Sequence, residues 1–333
     1  AYLESDAGPS PAPVEPSQPP APIRPPPDDG TPLRRLARDL EIGRPYSYRG
    51  MTVYPLSLRA SRSPEILTMD EGFRRGDLIV REKGRAEVPA VRVRNDGQRP
   101  VFLMGGEMLV GGRQNRIIRD AVLLGPRSEF IDVAVYCGEK GRWEGLEPAF
   151  RSGACLAAPG LRKQAAERAG QDQIWREIDG QMGRADVRSP TESYQQLFEE
   201  RKVSDEMDRC LRELRGVCAR RSVGCVVVAG RGIVGADLFS DPTLFARLWP
   251  KICRSYALEG IGWPQVPKGG LRREDEVRYV PPRGGDEVRR FLDGVLDARL
   301  HPGYTPGAGQ RIEISGPVTG NALLWNDVVV HAH

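Results

Sequence analysis

Three features of the sequence predict an α+β fold: an antiparallel β-sandwich-like sheet followed by a helical segment and further strand and helix elements. Short runs rich in Val, Ile and Leu crowd into about 90 residues from Met51, divided by Gly, Pro and Asn-Asp-Gly turns. Apolar residues at helical spacing then dominate from Leu161 to Cys218. The two patterns are segregated, and no regular βαβ alternation or internal repeat occurs.

The elements follow in chain order. Thr31–Leu40 predicts one short basic helix, broken by Gly43 and Pro45. Strands are expected at Thr52–Leu58, Ile66–Met69, Leu78–Glu82, Val88–Arg94, Val101–Met104, Met108–Val110, Arg116–Leu124 and Glu129–Tyr136. Asn95-Asp96-Gly97 is a turn, because Asn and Gly tolerate left-handed backbone. Leu161–Met182 predicts a long helix, and Ser189-Pro190-Thr191-Glu192 predicts an N-cap, a first-turn proline and a capping-box glutamate opening another. Strands return at Gly224–Ala229 and Ile233–Phe239. Asp241-Pro242 then opens a helix that Pro250 should kink. A polar insert at Gly262–Gly285 precedes an amphipathic helix around Val288–Leu296, and Arg311–Ser315 with Ala322–Val330 closes the chain as a hairpin-like pair. This divides the chain into a Pro-rich arm with its basic helix (1–40), an α+β domain (41–260) and a C-terminal extension (261–333).

Composition narrows the chemistry. Only three histidines occur, His301, His331 and His333, so zincin helices, His-rich metal clusters and Ser-His-Asp relays have almost none to use. A formal net charge of +4, with Arg and Asp/Glu interspersed, lacks the concentrated basic stripe that nucleic acid requires. Six of the 49 basic residues are lysines; the rest are arginines that cluster nowhere. The longest apolar run, about Cys225–Ala229, falls far short of the ~20 residues of a membrane span. Six cysteines without a CxxC leave zinc ribbons, redox pairs and c-type haem unsupported. Cys225 and Cys253 lie in apolar runs as expected buried thiols, with one or two bridges elsewhere if the protein is exported. No cofactor is expected.

Ten of the 29 prolines fall in residues 1–30, which predicts polyproline II or a flexible tether. A stiff polyproline segment loses little entropy on docking, so the arm is expected to pack along a neighbouring subunit. The start at Ala1 rather than Met suggests a processed terminus and hence export, extracellular or periplasmic, with a cytoplasmic location as the alternative.

Among the motifs, Gly230-Arg231-Gly232-Ile233-Val234-Gly235 matches GxGxxG, but Ser240-Asp241-Pro242 leaves no room for the helix a dinucleotide site needs. A hairpin at Gly230-Arg231-Gly232 is expected instead. The densest polar constellation is Gly105-Gly106-Glu107 through Gly111-Gly112-Arg113-Gln114-Asn115-Arg116. Two readings stay open for it. Glu107 could accept a ribose hydroxyl or act as acid/base while Arg113, Gln114, Asn115 and Arg116 clamp an anion and Trp143 stacks on a planar ligand. Alternatively, a tight strand crossing uses these groups to satisfy buried turn backbone. His331-Ala332-His333 would put two imidazoles on one strand face, a weak metal pair, but a frayed tail is expected there.

Leu103–Arg116 (LMGGEMLVGGRQNR), Tyr136–Trp143 (YCGEKGRW) and Val223–Ala257 together resemble a bacterial family of domains of unknown function associated with ADP-ribosylglycohydrolase and rhodanese-phosphatase proteins. The resemblance covers about Met51 to Gly260. It implies a module near ADP-ribose or nucleotide metabolism, with no catalytic residues to carry over. From the Pro-rich arm, the non-Met start, the even cysteine count and the scarcity of histidine, the expected function is a non-enzymatic, exported assembly or binding protein that self-associates into a homo-oligomer through residues 1–30. The alternative is a ligand-binding module or enzyme acting on ADP-ribose-like or other anionic small molecules through the Gly105–Arg116 block.

Overall fold

The computed structural model describes residues 30–61, 63–83, 90–142, 149–219, 221–230, 232–260 and 284–333. Residues 1–29 of the Pro-rich arm, Trp143 and residues 261–283 of the polar insert lie outside them.

Helix α1 (Pro32–Asp39) forms where expected, with Thr31 as its N-cap. Period-two patterning then places strands in three sheets. The largest has the order β1 (Glu41–Ile42), β3 (Met51–Ser57), β13 (Ser222–Ala229), β14 (Gly232–Leu238), β18 (Val328–Ala332), β17 (Gly320–Trp325), β16 (Gln310–Ser315) and β15 (Arg299–Gly303), with β2 (Tyr46–Tyr48) also on β3. In β3 the alternation is visible: Met51 and Val53 enter one core while Tyr54 and Leu56 enter another. A six-stranded sheet has the order β12 (Phe150–Leu156), β8 (Glu107–Gly111), β9 (Arg116–Ile118), β11 (Ile131–Cys137), β6 (Ala90–Asn95) and β5 (Leu78–Glu82). It curls until Arg81 of β5 bridges Ala149 beside β12, enclosing a separate core that includes Val91, Leu109, Ile118 and Val133. A three-stranded sheet, β10 (Val122–Leu124), β7 (Val101–Leu103) and β4 (Leu67–Thr68), contains the parallel pair β4–β7. All other named strand pairs are antiparallel.

Helices α3 (Pro159–Ala166), α4 (Gln171–Arg184), α5 (Gln195–Glu199), α6 (Arg201–Glu213) and α7 (Pro242–Gly260) share the main core with one face of the large sheet. Helix α8 (Gly284–Asp297) and α1 cover the other face. The chain is α+β.

Several elements differ from the sequence reading. Ile66–Met69 is a strand for only two residues, because Thr68 and Glu71 form a full capping box and start α2 (Met69–Arg75). Arg116–Leu124 splits at Arg119-Asp120, whose charged side chains pair with each other. Strand β12 was not expected; its pattern is irregular because a bulge lies between Ser152 and Leu156. The long helix Leu161–Met182 breaks at Arg168, whose φ of 58° no helix interior allows. Ser189–Glu192 is a turn rather than a helix start, with Glu192 at φ 50° and Ser193 N donating to Ser189 Oγ. Pro250 lies inside α7, which runs past it to Gly260. The C-terminal residues are not frayed. Strand β18 is buried between β14 and β17, and His333 exchanges both backbone hydrogen bonds with Asn321. The hairpin at Gly230 does form: β13 pairs β14 down to Ala229↔Gly232, with Gly230 at φ 60°. All six cysteines are free thiols, and Cys210 Sγ lies 3.9 Å from Cys253 Sγ between α6 and α7.

Candidate functional site

The Gly105–Arg116 block is the turn before β8, β8 itself and the loop that leads into β9. Gly106, Gly111 and Gly112 have φ of 94°, 124° and 56°, where a side chain would be strained. Asn115 is buried: its Nδ2 donates to Ser193 Oγ at 3.0 Å and its Oδ1 accepts from Gly111 N at 3.1 Å. Gln114 donates to the Glu139 carbonyl at 2.9 Å, and Glu139 Oε2 accepts from Asn115 N and from Arg142. Burial works against the Glu139 charge, but Arg142 and Thr191 outweigh it and lower its pKa. Arg116 reaches Gln114, Cys137 and Glu82, while the exposed Arg113 binds Glu82 through its backbone N–H. Thus Gln114, Asn115 and Arg116 come together with Glu139 and Arg142. Trp143 lies outside the described residues.

Glu107 points elsewhere. It is 0% exposed, accepts from Met104 N at 2.8 Å, and pairs with Lys251 of α7 at 2.6 Å. Lys251 also pairs with Asp70 of α2 at 2.7 Å. Burial pushes the Glu107 carboxyl up, with the Lys251 charge opposing and Asp70 adding to the rise. Burial disfavours the Lys251 ammonium too, yet Glu107 and Asp70 beside it raise its pKa, so it stays charged.

A second buried charge cluster, which sequence reasoning missed, joins α3, β14, α7 and β18. Asp237 is 0% exposed, and both its oxygens are fully used. Oδ1 accepts from Arg162 NH2 at 2.5 Å and pairs with His331 Nε2 at 2.8 Å. Oδ2 accepts from Arg162 NH1 at 3.1 Å and from Tyr256 OH at 3.0 Å. Burial alone would raise the Asp237 pKa; the Arg162 guanidinium and the His331 hydrogen bond reverse that and hold it far below the usual carboxylate range. Burial lowers the His331 pKa despite Asp237. A neutral His331 facing a carboxylate carries its proton on Nε2, leaving Nδ1 as a bare acceptor, and Nδ1 has no partner. Two glycines make room for this cluster. A Cβ on Gly106 would lie 2.7 Å from Arg162 Cγ, and one on Gly235 would lie 3.1 Å from Tyr256 Oη.

The cluster underlies a cleft of about 660 Å³. Arg162, Tyr256 and His333 reach it from below, together with Lys163 and Arg168 on the α3 side. Phe291, Pro317, Val318 and residues 233–236 of β14 also line it, as do Glu167 and Glu313. Arg162 Nε and His333 Nδ1 are buried and unpartnered. His333 stacks on His331 with ring centroids 5.2 Å apart and planes 10° apart. His333 also lines a small cavity of about 10 Å³ beside His331, Arg311 and Asn321. Among the described residues, no group of three His, Cys, Asp or Glu side chains is placed to hold a metal ion, and no helix is long and apolar enough to cross a membrane.

The ARG and Rhodanese-Phosphatase-superfamily-associated Protein domain, ARPP-1, matches residues 39–333. The chain belongs to that family. The ARPP-1 match includes the whole Asp237 cluster, every wall of the cleft and the segment beyond Gly260. No curated protein and no solved structure matches the chain.

The signal that could have revealed the ARPP-1 cluster was an acid in an apolar strand, Asp237 in Ile233–Phe239. A buried carboxylate needs a cationic partner. Nothing local named Arg162, which lies 75 residues away in sequence.

Proposed function

We propose that this ARPP-1 domain is a ligand-binding module and that its site is the cleft above Arg162, which takes a ligand carrying anionic groups. The observation that carries this is the buried guanidinium at the cleft floor, with Nε unpartnered and the exposed Lys163 beside it. The cleft volume of about 660 Å³ lies within the ~300–1,000 Å³ of ordinary ligand sites. Its mixed lining is apolar at Ile233, Val234 and Phe291 and charged on the α3 side, where the exposed Lys163 and Arg168 meet Glu167 and Glu313 in surface pairs that an anionic ligand can displace. Binding is favoured over catalysis because Asp237 is spent on four donor contacts and sits away from the cleft surface. The reading moves from the Gly105–Arg116 block to the cleft because Asn115, Gln114 and Glu107 are buried and paired internally.

Calorimetry and thermal shift with ADP-ribose, mononucleotides and inorganic pyrophosphate test the proposal. Binding of any of these, weakened at least tenfold by Lys163→Glu, is expected. Binding unaffected by Lys163→Glu and by Arg162→Lys would place the site elsewhere.

Self-association through residues 1–30 and export remain separate proposals resting on the arm's sequence. Light scattering of the full chain against one lacking residues 1–29 tests the first; an unchanged mass defeats it.

A further inference from the structure

The outer face of the curled six-stranded sheet gathers arginines that lie dispersed in the sequence. Val80, Val91, Val93 and Val133 fill the core inside this sheet, so pleating turns Arg81 of β5 and Arg92 and Arg94 of β6 outward. Arg81 and Arg92 are exposed and stand directly opposite each other in the register, a placement in which like charges repel. Phe130, just before β11, gathers all three guanidiniums around its ring, with Arg81, Arg92 and Arg94 at 5.6, 5.0 and 4.6 Å from the centroid. Arg94 also pairs with Asp96. Asp132, opposite Arg92 on β11, pairs with Lys83 instead. Among the described residues, Arg81 and Arg92 have no carboxylate partner. Beside them lies an open depression of about 580 Å³, lined by Lys83, Arg92, Phe130, Asp132 and Tyr304. Tyr304, just after β15, is 78% exposed, so its ring serves no core. None of these residues lines the cleft above Arg162.

We infer that this face binds single-stranded nucleic acid. Arg81 and Arg92 meet phosphates, and the free ring of Tyr304 takes a base. Sites for single strands combine a cationic track with aromatic rings on which bases stack, and both parts are present here. A phosphate relieves the repulsion between Arg81 and Arg92, which Phe130 alone offsets in the free protein. The Lys83–Asp132 pair is exposed on both sides, so Lys83 exchanges that carboxylate for a phosphate at little cost. A duplex fits less well, because its bases stack on one another and offer Tyr304 no face. Phosphate contacts and stacking are tolerant of sequence, so uridine and thymidine strands both suit the site.

The test is fluorescence anisotropy of the full chain with labelled oligouridylate and oligothymidylate, and with a duplex of equal length. If Lys83, Arg81 and Arg92 each neutralise a phosphate, the salt slope for a single strand is about −2, so raising salt from about 50 to 200 mM should weaken binding roughly 20-fold. Arg81→Gln/Arg92→Gln should lower affinity by about tenfold or more and flatten that slope. Tyr304→Ala should lower affinity by about fivefold or more and leave the slope unchanged. All three side chains are exposed, so both variants should melt as the parent does. Single-strand binding that Tyr304→Ala leaves intact, or that the duplex equals, overturns base stacking and marks a general polyanion surface. No oligonucleotide binding at about 50 mM salt, or binding indifferent to Arg81→Gln/Arg92→Gln, overturns the proposal outright.

Discussion

Replacing Asp237 by alanine should be strongly destabilising. The variant leaves the Arg162 guanidinium buried without its carboxylate, a situation that costs about 3–5 kcal/mol. Tyr256 OH loses its acceptor as well, and an unsatisfied buried polar group costs about 1–3 kcal/mol. These losses share one network and do not add fully, so about 4–6 kcal/mol is expected. A domain is typically stable by about 5–15 kcal/mol, so Asp237→Ala should sit near the edge of folding. Urea unfolding followed by tryptophan fluorescence at pH 7.5 measures the loss. The decisive comparison is the double variant Arg162→Met/Asp237→Leu. If an uncompensated charge is the cause, the double variant is more stable than Asp237→Ala, because neither charge remains. A loss below about 1 kcal/mol for Asp237→Ala, or a double variant worse than the single, would refute the reasoning.

Three further outcomes follow. His331 is buried with a lowered pKa, so the unfolded chain takes up a proton near pH 6.5 that the folded chain refuses. This part of the stability is complete above about pH 6.5 and is lost on acidification, at up to about 1.4 kcal/mol per pH unit. Denaturation between pH 7.5 and 5 should show the loss, and His331→Gln should flatten it by one proton's worth. Gly106→Ala forces a side chain into φ 94° and against Arg162, and should cost about 1–3 kcal/mol in urea unfolding. Thiol titration should find all six cysteines in denaturant, with half-buried Cys137 and Cys218 reacting first in the native protein; fewer than six would reveal a bridge.

The fold was legible where signals were local. Gly230 and Gly232 around a β-turn, Thr31 before a basic helix and period-two runs such as Leu78–Glu82 each carry their conformation in neighbouring residues. Expectations failed where a distant contact or a single backbone torsion decided. Arg168 and Glu192 take positive φ, which their side chains do not announce, and so end helical patterns that look continuous. The His331-Ala332-His333 segment is polar enough to suggest fraying, yet His331 is 1% exposed because Asp237, 94 residues away, accepts from it. The cleft is least legible of all, since its lining comes from α3, β14, α7, α8 and β16, which meet only in the assembled fold.

The Gly-Gly-Glu…Gln-Asn-Arg block, the most distinctive part of the sequence, acquires a different meaning from this geometry. Its consecutive residues Gly106 and Glu107 meet two different helices. Gly106 lets the Arg162 stem of α3 pass, and Glu107 pairs with Lys251 of α7. Those same helices carry Arg162 and Tyr256 to Asp237. A block that fixes α3 and α7 therefore also fixes the floor of the cleft. Lys251→Met tests this coupling directly. It leaves Glu107 buried without its cation, so about 3–5 kcal/mol of stability should be lost. Glu107→Gln/Lys251→Met should recover most of that loss. If the double variant regains stability but ligand binding in the cleft stays weakened, the block acts through the helices it holds; if binding returns in full, the Glu107–Lys251 pair serves stability alone.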